Sequence, residues 1–266
     1  MSASTTLAAD TMVLARRNLE HIRQIPEKLL DVTLQPVMFT LLFAYVFGGA
    51  IGVAGGNYHE YLVGGILVQT LAFGVMGPGV SIATDLAEGV VDRLRTLPMN
   101  RAAYLLGHAA AEWVGTILAL IVLSISGLVV GWRIHAGILD ALAGYALLAA
   151  FGLAMVWLGT LIGLSVRSAD AVQGIAFGVI FPITFVSTAF VPIDGMPAVL
   201  KTFAEWNPVS TMVTATRTLF GNPVSLPADA PWPLQHPVLT GALWTAGILA
   251  VAVPLCLRKF RARTAD

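Results

Sequence analysis

Apolar residues gather into six blocks along the chain, at about 33–55, 61–83, 104–131, 140–166, 172–193 and 237–257. Each is long enough to cross a hydrocarbon core of about 30 Å, which takes about 20 residues of helix. The pattern predicts an all-α integral membrane protein with six transmembrane helices and both termini on one side. Ahead of the first block, residues 4–26 follow a helical period. Leu7, Met12, Ala15, Leu19, Ile22 and Ile25 fall on one face, and Asp10, Arg16, Arg17, Glu20, His21 and Arg23 on the other, with Val13 and Asn18 as misfits. This predicts an amphipathic interfacial helix ended by Pro26. Between blocks five and six, 194–236 is too apolar for a free loop and too interrupted by Pro197 and Pro208 for a span. Short re-entrant helices on the outer side fit it, followed by an extended proline-rich connector from Gly221 to Pro237. The chain therefore divides into a cytoplasmic N-terminal helix (1–32), a six-span domain (33–257) and a basic tail (258–266).

Composition agrees: of 266 residues, 57% are hydrophobic and 11% charged, against about 25% charged in a soluble domain. With 15 basic and 15 acidic residues there is no global field and no basic stripe, which argues against a nucleic-acid partner. The distribution of charge carries more information than its sum. Twelve of the Lys and Arg residues fall at the N-terminus, in 84–103, at Arg167 and in the tail; only Arg133, Lys201 and Arg217 fall in the alternate loops. Positive flanks stay cytoplasmic, so both termini and the 84–103 loop are placed inside. The single cysteine, Cys256, excludes an internal disulfide and any cysteine-based metal site and reads as a core thiol. Residues 1–31 hold no continuous apolar run before Val32, so the first span is expected to insert as an uncleaved anchor.

Candidate chemistry lies in a few places. From Thr84 to Arg101, charges at Asp85, Glu88, Asp92, Arg93 and Arg95 alternate with Val90, Val91, Leu94 and Leu97. On a helix this makes a short amphipathic rod stopped by Pro98, either a plug for a partner's groove or a spacer between spans. His108 and Glu112 share one face of the third span. Intramembrane ionisable groups suggest a proton relay or substrate contact, while their nearness to the cytoplasmic boundary favours structural pairing. Glycines repeat every four residues at Gly48, Gly52 and Gly56, at Gly159 and Gly163, and at Gly174 and Gly178, giving strips for close helix approach. Gly77-Pro78-Gly79 is expected to break or kink span two. Phe39, Phe43, Gln69, Phe73 and Met76, with His108 and Glu112, are candidates for lining a path for an amphipathic molecule, though the first five, each taken singly, read more readily as core or lipid-facing residues.

The run Glu88-Gly89, then Asp92-Arg93-Leu94-Arg95-Thr96-Leu97-Pro98 and Arg101, resembles the coupling segment of type-2 ATP-binding-cassette permeases, in particular the daunorubicin-resistance group. Ser187, Phe190, Pro192, Pro197, Leu200, Asn207-Pro208 and Arg217 resemble that family's outer-side signature. Leu29-Leu30-Asp31-Val32, Gln35-Pro36 and Tyr45-Val46-Phe47-Gly48-Gly49 resemble the entry to and exit from its first span. The resemblance covers nearly the whole chain. It implies a permease that moves a hydrophobic or amphipathic compound, drug or lipid, outward. Two copies of a separate nucleotide-binding ATPase would dock at Glu88, Gly89, Val90, Asp92, Arg93, Leu94, Arg95, Leu97 and Pro98. A second permease chain, identical or homologous, would complete the path, and Phe190, Pro192, Asn207, Pro208 and Arg217 would form an outer gate. ATP and Mg would bind the partner subunit. The chain has no phosphate loop: in Gly195-Met-Pro-Ala-Val-Leu-Lys201-Thr202, Leu200 stands where a glycine is required. It is thus expected to be a non-catalytic subunit with no cofactor or metal of its own. The rivals are an ion-coupled exporter using His108 and Glu112, and an intramembrane hydrolase, for which Ser81, Ser124, Ser126 and Ser187 lack a suitably spaced histidine.

Overall fold

The computed structural model describes residues 34, 37–47, 57–90, 101–224, 226 and 230–263, and every regular element among them is helical. The N-terminal helix expected over 4–26, the Gly48–Gly56 strip and most of the 84–101 rod lie outside the described residues. In chain order the helices are α1 (Val37–Val46), α2 (Tyr58–Ala87), α3 (Arg101–Val130), α4 (Ile138–Gly163), α5 (Ala169–Phe185), α6 (Ala198–Trp206), α7 (Pro208–Phe220), α8 (Trp232–Gln235) and α9 (Pro237–Arg263).

Among the described residues four helices are long and apolar enough to cross a membrane, α2, α3, α4 and α9. Their apolar windows are 61% and 56% buried in α2 and α4 but 28% and 22% in α3 and α9. The first pair is therefore the centre of the bundle, and the second shows most of its apolar surface outward, as lipid-facing helices do. Glycine makes the centre. A Cβ on Gly159 of α4 would lie 2.2 Å from the Val75 carbonyl oxygen, and one on Gly163 would lie 2.4 Å from that of Gly79. The Gly159/Gly163 strip thus serves backbone-to-backbone packing of α4 on α2 within the chain. Among the described residues Gly174 and Gly178 on α5 face no atom within 4 Å of where a Cβ would stand.

Among the described residues one of the six apolar blocks differs from expectation. Block one is described over α1, and 48–55 of it lie outside the described residues. Block five, expected over 172–193, is helical only to Phe185, about 26 Å of rise, and 186–192 is not an α-helix. Pro182 and Asn207 account for this. Pro182 lacks the N–H that would bond the Gly178 carbonyl, and the turn before it, Ala176–Ile180, widens to a π-helix in which the Phe181 N–H reaches back to Ala176 O. The carbonyls freed at the end of α5 are then taken by a side chain, described below.

The break expected at Gly77-Pro78-Gly79 falls three residues earlier, at Gly74–Val75. A proline ring excludes the carbonyl four residues before it, which for Pro78 is that of Gly74, so the disruption appears one turn N-terminal of the proline. The Gly221–Pro237 connector is not wholly extended, since Trp232–Gln235 forms a single helical turn.

Candidate functional site

Between α5 and α6 the chain runs through Ser187–Pro192 outside any α-helix, yet Ser187, Thr188, Ala189 and Phe190 are all buried. Peptide groups there need partners, because an unsatisfied one in apolar surroundings costs several kcal/mol. Side chains of α2 and α7 supply them. Arg217 of α7, 1% exposed, donates from Nε to the Tyr61 carbonyl at 2.8 Å, from one terminal nitrogen to the Thr188 carbonyl at 2.8 Å, and from the other to the Ala189 carbonyl at 2.9 Å. Its guanidinium carbon stands 3.4 Å from the centre of the Tyr61 ring, a cation–π contact. The Tyr61 hydroxyl donates to the same Thr188 carbonyl at 2.9 Å, and that of Tyr58 to the Phe190 carbonyl at 3.3 Å. Ser210 of α7 accepts from the Thr188 N–H at 3.1 Å.

Asn207 closes the near end. Its amide nitrogen donates to the carbonyls of Ile183 and Val186 at 2.6 and 2.8 Å, and its oxygen accepts from the Val209 N–H at 2.8 Å, so one side chain ends α5 and begins α7. Pro208 occupies the first position of α7, where a missing N–H costs nothing. Small residues admit the segment: a Cβ on Gly65 would stand 2.0 Å from the Ala189 oxygen, and one on Gly64 would stand 3.0 Å from Cγ of Arg217.

From this clasp an aromatic row leads off in both directions. Phe190 stacks on Phe43 of α1 with ring centres 4.7 Å apart, and Phe43 on Phe39 at 5.5 Å. On the other side Phe190 meets Phe185 at 5.0 Å, Phe185 stacks on Phe181 at 4.2 Å, and Phe181 meets Phe73 of α2 at 6.4 Å. Of the path candidates, Phe39, Phe43 and Phe73 therefore belong to one row with Phe190, while Gln69 is buried in α2 and Met76 is half-buried against the main core. His108 and Glu112 lie elsewhere. His108 is buried and stacks on Tyr104, whose hydroxyl donates to Asp85 of α2. A Cβ on Gly77 would stand 3.1 Å from the Glu112 carboxylate, which places that carboxylate beside the break in α2. Among the described residues no group of three His, Cys, Asp or Glu side chains is placed to hold a metal.

At the expected coupling segment, Thr84–Ala87 continue α2 instead of beginning a separate rod. The chain turns at Glu88-Gly89, where Gly89 has φ +68°, and Val90 is helical again. That left-handed residue just past a helix end favours glycine over any side chain. Gly89→Ala is expected to destabilise the turn by about 1 kcal/mol, read as a lower melting midpoint in detergent. Asp92, Arg93, Leu94, Arg95, Leu97 and Pro98 lie outside the described residues. Of the outer-gate group, Phe190, Asn207, Pro208 and Arg217 converge on the broken segment and half-buried Pro192 ends it. Sequence reasoning missed Tyr58, Tyr61, Gly65 and Ser210. Two signals were available: a Tyr-His-Glu-Tyr opening to an otherwise apolar span, and the hydroxyl-rich Ser210, Thr211, Thr214, Thr216 and Thr218 in a helix that is nearly all buried.

The chain matches the model of the ABC-2 type transporter family over residues 9–220. It is 29% identical over 263 residues to the daunorubicin resistance ABC transporter permease protein DrrB1 of Streptomyces coeruleorubidus, covering 99% of this chain and 90% of that one. It is 26% identical over 226 residues to the doxorubicin resistance ABC transporter permease protein DrrB of Mycobacterium tuberculosis (strain ATCC 25618 / H37Rv), covering 84% of this chain and 77% of that one.

Proposed function

The chain belongs to the ABC-2 type transporter family, and from that membership we propose that it is the permease subunit of an ATP-driven exporter of hydrophobic or amphipathic compounds. The observation that carries this reading is the family match over 9–220 together with near full-length similarity to drug-resistance permeases. In this reading α1 and α5 belong to the first and fifth of six spans, in a bacterial inner membrane with both termini cytoplasmic. Helix α6 dips into the outer leaflet. It turns Val199, Phe203 and Trp206 outward, at 81%, 49% and 60% exposure, and keeps its Lys201–Glu205 pair (3.8 Å) more covered, which suits acyl chains and not water. The open Gly174/Gly178 strip of α5 suits a second permease chain. The aromatic row offers flat, polarisable surface to a planar or acyl-bearing substrate moving outward.

ATP and Mg bind two copies of the partner ATPase, and the Glu88–Pro98 segment receives its motion. Glu88 ends α2, whose body carries the Gly74–Val75 break, so movement at the segment bends α2 where its hydrogen bonds are already interrupted. The experiment is purification of the tagged chain from its native membrane, with an ATPase expected to accompany it and ATP depletion expected to stop export. Arg93→Glu should keep the chain in the membrane and lower ATP-dependent export at least tenfold, equivalent to about 1.4 kcal/mol of lost coupling. Export that persists without ATP while a proton gradient is held would instead favour the ion-coupled carrier.

A further inference from the structure

We infer that Arg217 acts as a tethered cation: its guanidinium fills a cation site formed by the carbonyls of Tyr61, Thr188 and Ala189 and the ring of Tyr61, and thereby positions the Ser187–Phe190 segment against α1. The role assigned to that segment rests on the permease reading above; the cation site itself does not. In membrane carriers, carbonyls freed by a broken helix are where a coupling cation binds. Here two such oxygens, those of Thr188 and Ala189, converge with the Tyr61 carbonyl of α2, and each of the three is held by a guanidinium donor at 2.8–2.9 Å. Tyr61 contributes the electron-rich face that a planar cation prefers. Among the described residues Arg217 makes no ion pair with a carboxylate, and three carbonyl dipoles and the Tyr61 ring stand against its buried charge.

The fork matters as much as the charge. A guanidinium presents donors in fixed, divergent directions, whereas an ammonium is a point charge on a flexible stem. Only the fork spans α2 and both carbonyls of the broken segment at once. Because Thr188 and Ala189 directly precede Phe190, fixing their carbonyls fixes the ring that bridges Phe43 and Phe185. Arg217 is a positioning residue in this account; it reaches no substrate itself.

Chemical rescue tests it. The complex of the full chain with its ATPase is compared as wild type, Arg217→Ala and Arg217→Lys, by thermal unfolding in detergent and by ATP-driven uptake of doxorubicin into inverted vesicles. Arg217→Ala is expected to melt lower, and guanidinium at tens of millimolar, far below denaturing strength, should raise its melting midpoint saturably while leaving wild type unmoved. Equimolar urea or tetramethylammonium should do neither. Where wild type takes up doxorubicin, Arg217→Ala should lose about tenfold of that rate, and guanidinium should return most of it. Arg217→Lys should fall between the two and gain little from guanidinium. An Arg217→Ala protein as stable as wild type, or one stabilised equally by tetramethylammonium, overturns the inference. If Arg217→Ala does not accumulate, Arg217→Lys decides: wild-type stability in that variant shows that a point charge suffices and the fork does not matter. Failure of the permease reading shows separately, as a wild-type chain with no ATPase partner, while the melting experiment still stands.

Discussion

Gly65→Ala is expected to be among the most damaging single-methyl additions this chain can take. The added Cβ would sit 2.0 Å from the carbonyl oxygen of Ala189 and 2.6 Å from its carbon, so backbone must move against backbone, and neither α2 nor the 186–190 segment has a flexible end to yield. Moving Ala189 away strips the 2.9 Å bond from Arg217 and, through the adjacent residue, the Thr188 carbonyl shared by Arg217 and Tyr61. Overpacking alone costs about 1–3 kcal/mol, and each charge-assisted bond lost to a buried carbonyl adds about 1.5–3 kcal/mol. A total of several kcal/mol would exhaust much of a typical stability margin of about 5–15 kcal/mol. Gly115→Ala on α3, where nothing stands within 4 Å, is the matched control. The same methyl there is expected to stabilise by about 0.5–1 kcal/mol through helix propensity. Thermal unfolding in one detergent reads both, and equal melting midpoints would refute the close approach of the broken segment to α2.

The architecture was legible wherever burial follows apolarity along a continuous helix. Blocks two, three, four and six appear as α2, α3, α4 and α9 within a few residues of their expected bounds, because a long apolar run has one low-energy form in lipid. The Gly159/Gly163 repeat was legible for a similar reason: small residues on one face have little to offer except close approach. Block five shows where that reasoning stops. Val186, Ala189, Phe190 and Val191 are as apolar as the helix before them, so the run gives no sign of its end at Phe185. What makes the break tolerable is polar groups far along the chain, Asn207 and Arg217, together with Tyr58 and Tyr61 on α2. A local reading sees each of these as an isolated polar residue. Family resemblance picked out Phe190, Asn207, Pro208 and Arg217 as a group, but their shared task, solvating a broken backbone, needed the fold.

The same logic separates His108 and Glu112 from the aromatic row. All were candidates for one path, since each is polar or aromatic within an apolar block. Phe39, Phe43 and Phe73 join through Phe190, Phe185 and Phe181, whereas His108 turns to Tyr104 and Glu112 to Gly77. Their surroundings tie them to the break in α2 and to the Tyr104–Asp85 link near its C-terminal end. A substitution there is therefore expected to alter how α2 moves before it alters which compound is bound.

Asn207→Asp gives the second large effect, and it runs against helix-capping rules. Aspartate caps a helix N-terminus as well as asparagine does, and its charge would favour the start of α7. Judged on α7 alone the change is neutral or stabilising. The asparagine amide, however, also donates to Ile183 at 2.6 Å and Val186 at 2.8 Å, and a carboxylate has no donor to offer. Two part-buried carbonyls would lose their partner and face a negative charge instead. At about 1–3 kcal/mol for each group left unsatisfied, with repulsion added, the expected loss is about 3–5 kcal/mol, large enough to unravel the end of α5. Asn207→Ser, which keeps an acceptor for the Val209 N–H and one donor, should lose less. Melting midpoints in the order Asn, Ser, Asp would place the role of Asn207 at the end of α5. If Asp matches Asn, the side chain serves α7 alone, and the α5 end must be held by Arg217 and the tyrosines.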